Sequence, residues 1–205
     1  MRLAMTRNEF LRRFYLQPAP KVSWQGPLWD DIQLRQSAVL VALQEREHGL
    51  DLILTRRPAH MRFHAHQICF AGGRQDPDDV CLQATALREA EEELGLQEHH
   101  VELIAPLPPQ PVLTRFMIHP YLAFIDPKVQ LVPDPNEVQE VVRAPLHRVL
   151  DHSSHYTQQV ERLLYHELVF IPMDGQVIWG ATAAIIRRLA DHIYPQRRSL
   201  YRPVR

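Results

Sequence analysis

The sequence predicts an α/β fold, a mixed β-sheet with helices on its faces. Three observations carry this. Two short apolar runs, "SAVLVAL" (37–43) and "LDLILT" (50–55), precede a well-signalled helix around 76–95. Further apolar runs follow that helix. The pattern then closes on an amphipathic helical segment, "ATAAIIRRLADHI" (181–193). Strand and helix signals interleave along the chain, as they do where a sheet carries helices on its surface.

The elements follow in order. "TRNE" reads as a capping box, Thr6 with Glu9, opening a short helix with Phe10 and Phe14 on one side. "PAPKVSWQGP" lies in a Pro-rich connector over 17–35. The runs 37–43 and 50–55 read as strands joined by a turn at "EREHG". "QICFAGG" (67–73) is a short apolar run stopped by two glycines. For the next helix, Asp76 suits the cap and Pro77 the first position, with Asp78 and Asp79 at the positive end. Leu82, Ala86, Leu87, Ala90 and Leu94 supply its apolar face, and Gly95 its left-handed stop. "VELIAPL" (101–107) and "FMIHPYLAFI" (116–125) read as strands, the second marked by Pro120 as an edge or bulge. "APLHRVLDH" (144–152) reads as a short helix, and "HELVFIPMDGQVIWG" as a hairpin turning at Asp174-Gly175. Trp179 is expected to pack between that hairpin and the final helix. This gives an N-terminal helix and connector (1–35) packed on the domain, one main domain (36–194) and a basic tail (195–205).

Composition narrows the function classes. The chain has 205 residues, 45% hydrophobic and 23% charged, the profile of a soluble globular protein. Its formal net charge of -1 gives no electrostatic footprint for nucleic acid or a membrane, so a small-molecule partner is expected. Cys69 and Cys81 are too few for a disulfide framework; both are expected to be reduced and buried. No run approaches the length of a membrane span, and "MRLAMTRNEFLRRF" lacks the apolar core of a secretory signal, so a cytoplasmic location is expected. Nothing in the sequence specifies an oligomeric state.

The stretch "ALREAEEELGL" (86–96) departs from an ordinary solvated helix. Glu89, Glu92 and Glu93 stand at i, i+3 and i+4, which places three carboxylates on one face. Like charges at that spacing repel by a few tenths of a kcal/mol per pair. A hard divalent cation such as Mg²⁺ would offset the repulsion, since it takes oxygen ligands. An acidic surface patch is the alternative. His60, His64 and His66 invite a zinc reading, but no Cys or His cluster completes it.

With its context, "GGRQDPDDVCLQATALREAEEELGL" resembles the Nudix box, G-x5-E-x7-R-E-U-x-E-E-x-G-U with U apolar. Arg88, Glu89, Ala90, Glu92, Glu93, Gly95 and Leu96 match its second half. The first half is one residue longer than the common box. It lacks the first Glu, with Asp78 or Asp79 nearby. A stretched box of this kind is similar to that of the coenzyme A pyrophosphatase subfamily. So is "ILTRRPAHMRFHAHQICFAGG", where Leu54, Thr55, Arg57, Arg62, Phe70, Gly72 and Gly73 match the upstream motif. Pro58, His66 and Ala71 replace its small residue, glycine and proline. "NEVQEVVRAPL" and "GQVIWGATAAII" extend the resemblance over roughly residues 36 to 193.

The resemblance implies a Nudix fold, an α/β/α sandwich around a mixed sheet. It implies hydrolysis of a pyrophosphate linkage with Mg²⁺ or Mn²⁺. Coenzyme A or a thioester of it is the favoured substrate, giving adenosine 3′,5′-bisphosphate and 4′-phosphopantetheine. Glu89 and Glu93 become primary metal ligands, and Glu92 shares the metal or orients the water. Arg88 fixes a glutamate. Gly72 and Gly73 allow close backbone approach, and Arg57 and Arg62 are candidates to grip phosphate. Glu137 or Glu140 is a candidate further base or ligand. Two alternatives stay open. One is a Nudix hydrolase of another nucleoside diphosphate derivative, NADH or an ADP-sugar, motivated by Pro58, His66 and Ala71. The other is a noncatalytic nucleotide-binding Nudix module.

Overall fold

A computed structural model of the chain describes residues 5–20, 33–61, 64–112, 114–162, 165–196 and 202–203. Its residues fall into two units, Leu34–Glu47 with Asp51–Ala144, and Met1–Gln33 with His48–Leu50 and Pro145–Arg205.

The first unit is built on an eight-stranded mixed sheet. Its strands are β1 (Arg35–Arg46), β2 (Gly49–Arg56), β3 (Ile68–Cys69), β4 (Ala71–Arg74), β5 (Val101–Pro106), β6 (Gln110–Val112), β7 (Phe116–Ile125) and β8 (Glu140–Pro145). Helix α2 (Leu82–Leu94) lies between β4 and β5 in sequence; α1 (Arg7–Leu16) belongs to the other unit. The main order is β3-β2-β1-β7-β5, with β4 on β1, β6 on β7 and β8 on β2. β1 and β7 run parallel from Arg35↔Phe116 to Gln44↔Ile125, whereas β4, β5 and β6 pair antiparallel. The α/β class and mixed central sheet are those the sequence predicts.

One face of this sheet meets α2. Leu40, Ala42, Ile53, Ala71, Ala123 and Ile125 from the strands and Leu87, Ala90 and Leu94 from the helix form one buried cluster. Alanines from three strands and the helix are interleaved there, and small side chains bring the helix close to the sheet. Each fully buried Leu or Ile contributes roughly 1.5–3 kcal/mol. Gly95 stops the helix at φ 63, and its N–H reaches the Ala90 and Glu91 carbonyls.

Two local expectations are corrected. Helix α2 begins at Leu82 with Cys81 as its cap, not at Asp76-Pro77. The Asp76 side chain instead accepts from the Asp78 amide (3.1 Å), and Asp79 accepts from the Asp76 amide (2.8 Å). The acidic residues thus close a turn of their own ahead of the helix. Pro120 lies inside a strand paired on both sides, so the edge half of the expectation fails, while the neighbouring β5–β7 pairing does shift register between Leu103 and Ala105. Its carbonyl accepts from the Leu107 amide (2.8 Å) at the point where the antiparallel partner changes from β5 to β6. Backbone N–H and C=O of one strand residue point the same way, so the absent proline N–H faces this gap.

The second unit holds α1, α3 (Leu146–Val149), α4 (Gly180–Ile193) and a sheet of order β11-β10-β9-β12. Its strands are β9 (Tyr156–Arg162), β10 (Tyr165–Met173), β11 (Gln176–Trp179) and β12 (Arg202–Pro203). Thr6 caps α1 by accepting from the Glu9 amide. Phe10 and Phe14 are buried, and Phe14 meets His192 of α4 at 4.5 Å between ring centroids. Asp174 and Gly175 take φ 47 and 79 in the β10–β11 turn, the positive values a type I′ hairpin requires. Trp179, expected as a packing residue, is 42% exposed. Cys81 is also exposed rather than buried; both cysteines are free. Among the described residues, no helix is long and apolar enough to cross a membrane. Most of the connector lies outside the described residues.

Candidate active site

Helix α2 presents Glu89, Glu92 and Glu93 within one turn, and their environments differ. Glu93 is 2% exposed. The side chain of Glu89 is 14% exposed and that of Glu92 52%. Burial, and after it the Glu89 charge, push the Glu93 carboxyl up to about 8 in all. The Arg57 charge and the Gly72 amide pull it back, while Glu137 adds to the rise. Glu89 is also raised, mainly by burial, with Arg88 opposing and Glu92 and Glu137 adding.

Arg88 organises the outer side of this turn. Its Nε and Nη2 donate to the two carboxylate oxygens of Asp79 at 3.0 and 3.1 Å. Nη2 also donates to the Arg74 carbonyl (3.2 Å) and Nη1 to Glu92 Oε2 (2.9 Å). Nη1 stands 3.0 Å from Glu89 Oε1. The guanidinium holds the Asp79 carboxyl well below the usual carboxylate range. Asp79, expected at the positive end of the helix and near the missing box glutamate, is instead the two-pronged partner of Arg88. Its contact spans nine positions, a spacing with no helical or strand period to reveal it.

The glycine pair sits between sheet and helix. A Cβ on Gly72 would fall 2.4 Å from the Ala38 carbonyl oxygen, on β1. A Cβ on Gly73 would fall 2.5 Å from the Glu89 carboxylate. Gly73 therefore leaves the space that the Glu89 carboxylate occupies.

The remaining candidates divide. Arg57 is half-buried, and its charge bears on Glu93 and on the Cys69 thiol. Its Nε is buried with no hydrogen-bond partner. Arg62 lies outside the described residues. Glu137 stands on the loop before β8, half-buried, with its charge felt by both Glu89 and Glu93. Glu140 turns instead to Arg56, Nε to Oε2 3.0 Å. The histidines of 60–66 separate: His60 meets the Asn136 carbonyl (3.2 Å) and His64 the Gln67 side chain (2.7 Å). His66 neither lies in the ordinary backbone region nor relaxes it; it takes φ 60, the conformation glycine adopts freely.

Among the described residues, no three His, Cys, Asp or Glu side chains form a ready-made metal cage. Glu92 is drawn aside to Arg88. The donor chemistry nevertheless fits a hard divalent cation. Glu93 Oε2 is buried with no hydrogen-bond partner. A dication near Glu89 and Glu93 would satisfy that oxygen and offset the burial and like charge that raise both carboxyls.

Residues 34–165 match the family model described as the NUDIX domain. The chain is 37% identical over 190 residues to an uncharacterized Nudix hydrolase NudL of Enterobacter sp. (strain 638), covering 92% of this chain and 95% of that one. It is 34% identical over 188 residues to an uncharacterized Nudix hydrolase NudL of Yersinia pestis (strain Pestoides F), covering 91% and 94%. Among solved structures, a Nudix hydrolase from M. smegmatis, RenU, is 17% identical with a TM-score of 0.49, covering 57% of this chain and 74% of that one.

Proposed function

The chain belongs to the Nudix family, and on that premise we propose that it hydrolyses the pyrophosphate linkage of coenzyme A or its thioesters. The broader activity, a Nudix pyrophosphohydrolase, follows from the family. The observation that carries the narrower reading is Arg57. The upstream stretch 53–73 resembles the coenzyme A pyrophosphatase motif, and its Arg57 acts through its charge on Glu93 and carries a buried Nε that has no hydrogen-bond partner. A guanidinium so placed suits a phosphate oxygen beside the metal-binding carboxylates.

Nudix enzymes use divalent cations, and Mg²⁺ or Mn²⁺ suits this oxygen donor set. When bound, the cation neutralises the pyrophosphate and acidifies the attacking water. Glu89 and Glu93 would hold it. Arg88, braced by Asp79, fixes the stance of Glu89 and Glu92. Glu137 takes the proton of the attacking water at its carboxylate as the P–O–P bond breaks. Arg57 holds a phosphate while the bond is cut. Adenosine 3′,5′-bisphosphate and 4′-phosphopantetheine leave as products.

A substrate panel tests this: coenzyme A, an acyl-coenzyme A, NADH and an ADP-sugar, each with Mg²⁺ and with Mn²⁺, read by product mass. Coenzyme A or its thioester should give the highest kcat/KM and the two products named. Faster turnover of NADH or an ADP-sugar would replace the coenzyme A reading.

A further inference from the structure

A base carried on a loop works only if the loop is held, and the Glu137 loop is held from two sides. We propose that Asp134, assisted by His60, is a positioning residue that fixes Glu137 against the metal helix; this rests on reading Glu137 as the base.

The loop, which connects β7 to β8, is bonded to the end of the helix it serves. The Val132 and Asp134 amides donate to the carbonyls of Leu94 (2.8 Å) and Glu93 (3.1 Å). These are carbonyls at the C-terminal end of α2 that no further helical turn can satisfy. One of them belongs to Glu93, a member of the carboxylate cluster. Asp134 then closes the turn. Its Oδ1 accepts from both the amide and the side-chain nitrogen of Asn136, each at 2.9 Å. Its carbonyl accepts from the amides of Glu137 (3.0 Å) and Val138 (2.8 Å). Five hydrogen bonds meet on this one residue, and they join the backbone of Glu93 to the backbone of Glu137.

The second support comes from the segment after β2. His60 donates through Nε2 to the Asn136 carbonyl at 3.2 Å; the partner only accepts, so Nε2 carries the proton. The Gln139 amide donates to the Arg56 carbonyl (2.8 Å), and Arg56 pairs with Glu140. Residues 136–140 are thus tied to the strand that leads to Arg57. This would give His60 a role that its sequence neighbourhood did not reveal.

A displacement of about 1 Å at a reacting group costs on the order of 10²-fold in rate. Loosening the loop should therefore lower kcat and leave KM nearly unchanged, because Glu137 acts on water and not on the substrate's binding groups. The experiment measures kcat, KM and melting temperature for E137Q, D134A, D134N, H60A and the double variants D134A/E137Q and H60A/E137Q. The substrate is whichever pyrophosphate ester the panel turns over fastest. E137Q should lose roughly 10²-fold or more in kcat, the range for a missing general base. D134A should lose about tenfold and H60A about threefold, each with KM unchanged. D134N keeps an acceptor oxygen for Asn136 and should return to within about threefold of the parent. In the E137Q background neither D134A nor H60A should reduce kcat further. A full-activity E137Q removes the base and the positioning proposal with it. A crippled E137Q beside a silent or fully additive D134A and H60A overturns the positioning proposal alone. His60 is exposed, so H60A decides the matter if D134A does not fold.

Discussion

Glu93 supplies a measurable link between the proposed metal site and stability. Its carboxyl titrates near 8 in the fold against an ordinary 4.5. A raised carboxyl favours the proton in the native state, so its stabilising effect is complete below pH 4.5 and fades as pH climbs towards 8. From those two values the metal-free protein loses roughly 1 kcal/mol by pH 5 and roughly 3 kcal/mol by pH 7. Glu93→Gln cannot titrate there. The stability difference between E93Q and the parent should therefore move by roughly 2 kcal/mol in favour of E93Q from pH 5 to pH 7, with chelator present. The slope, not the offset, is diagnostic, because the buried amide adds a constant penalty of about 1–3 kcal/mol if its N–H is unsatisfied. Urea titrations at four pH values measure it. Adding the cation at a hundredfold its Kd should restore about 2.7 kcal/mol to the parent and much less to E93Q. Turnover of E93Q should fall by orders of magnitude. A stability difference independent of pH would refute the claim that burial and Glu89 hold this carboxyl up.

Other perturbations separate the supports of the cluster. Asp79→Ala frees Arg88 from its bidentate partner and should weaken metal affinity by about 10- to 100-fold, read by calorimetric titration. Gly73→Ala sends a methyl into the Glu89 carboxylate; it should weaken metal affinity to a similar degree of about 10- to 100-fold with little change in melting temperature. His66→Gly removes a side chain from a left-handed backbone position and should stabilise by about 1 kcal/mol in denaturant titration. Coupled with Ala71→Pro, it should change the ranking of pyrophosphate substrates without changing metal affinity.

Much of the fold was legible because it rests on local chemistry. Thr6 with Glu9, Gly95 after α2 and Asp174-Gly175 in the hairpin each answer a backbone need that a sequence displays. The carboxylate face was legible for the same reason, since i, i+3 and i+4 are neighbours on any helix. What was not legible depends on contacts across the fold. Asp76 and Pro77 have the chemistry of a helix start, yet Asp76 and Asp79 bond one another's turn and Asp79 pairs with Arg88. Pro120 reads as an edge only until β5 and β6 are seen to leave a gap opposite it. Glu137 and Glu140 are equivalent in sequence; Arg56 takes the second, and the first is left beside the cluster. His66 occupies a glycine's backbone conformation without a glycine's freedom, which no pattern of residue types announces.

The alanines between helix and sheet carry a consequence for how this chain tolerates change. Ala42, Ala71, Ala90 and Ala123 act as shims that set the height of α2 above the strands, and Ala90 stands next to Glu89 in the chain. A methyl or two added at such a position is a modest insult in most cores, on the order of 1–3 kcal/mol. Here the same volume would tilt the carboxylates away from Gly73 and from Glu137. Inheritance at these shims would therefore be filtered by catalysis well before it is filtered by unfolding, and an engineer could adjust the proposed metal site by core volume alone, without touching a charged residue.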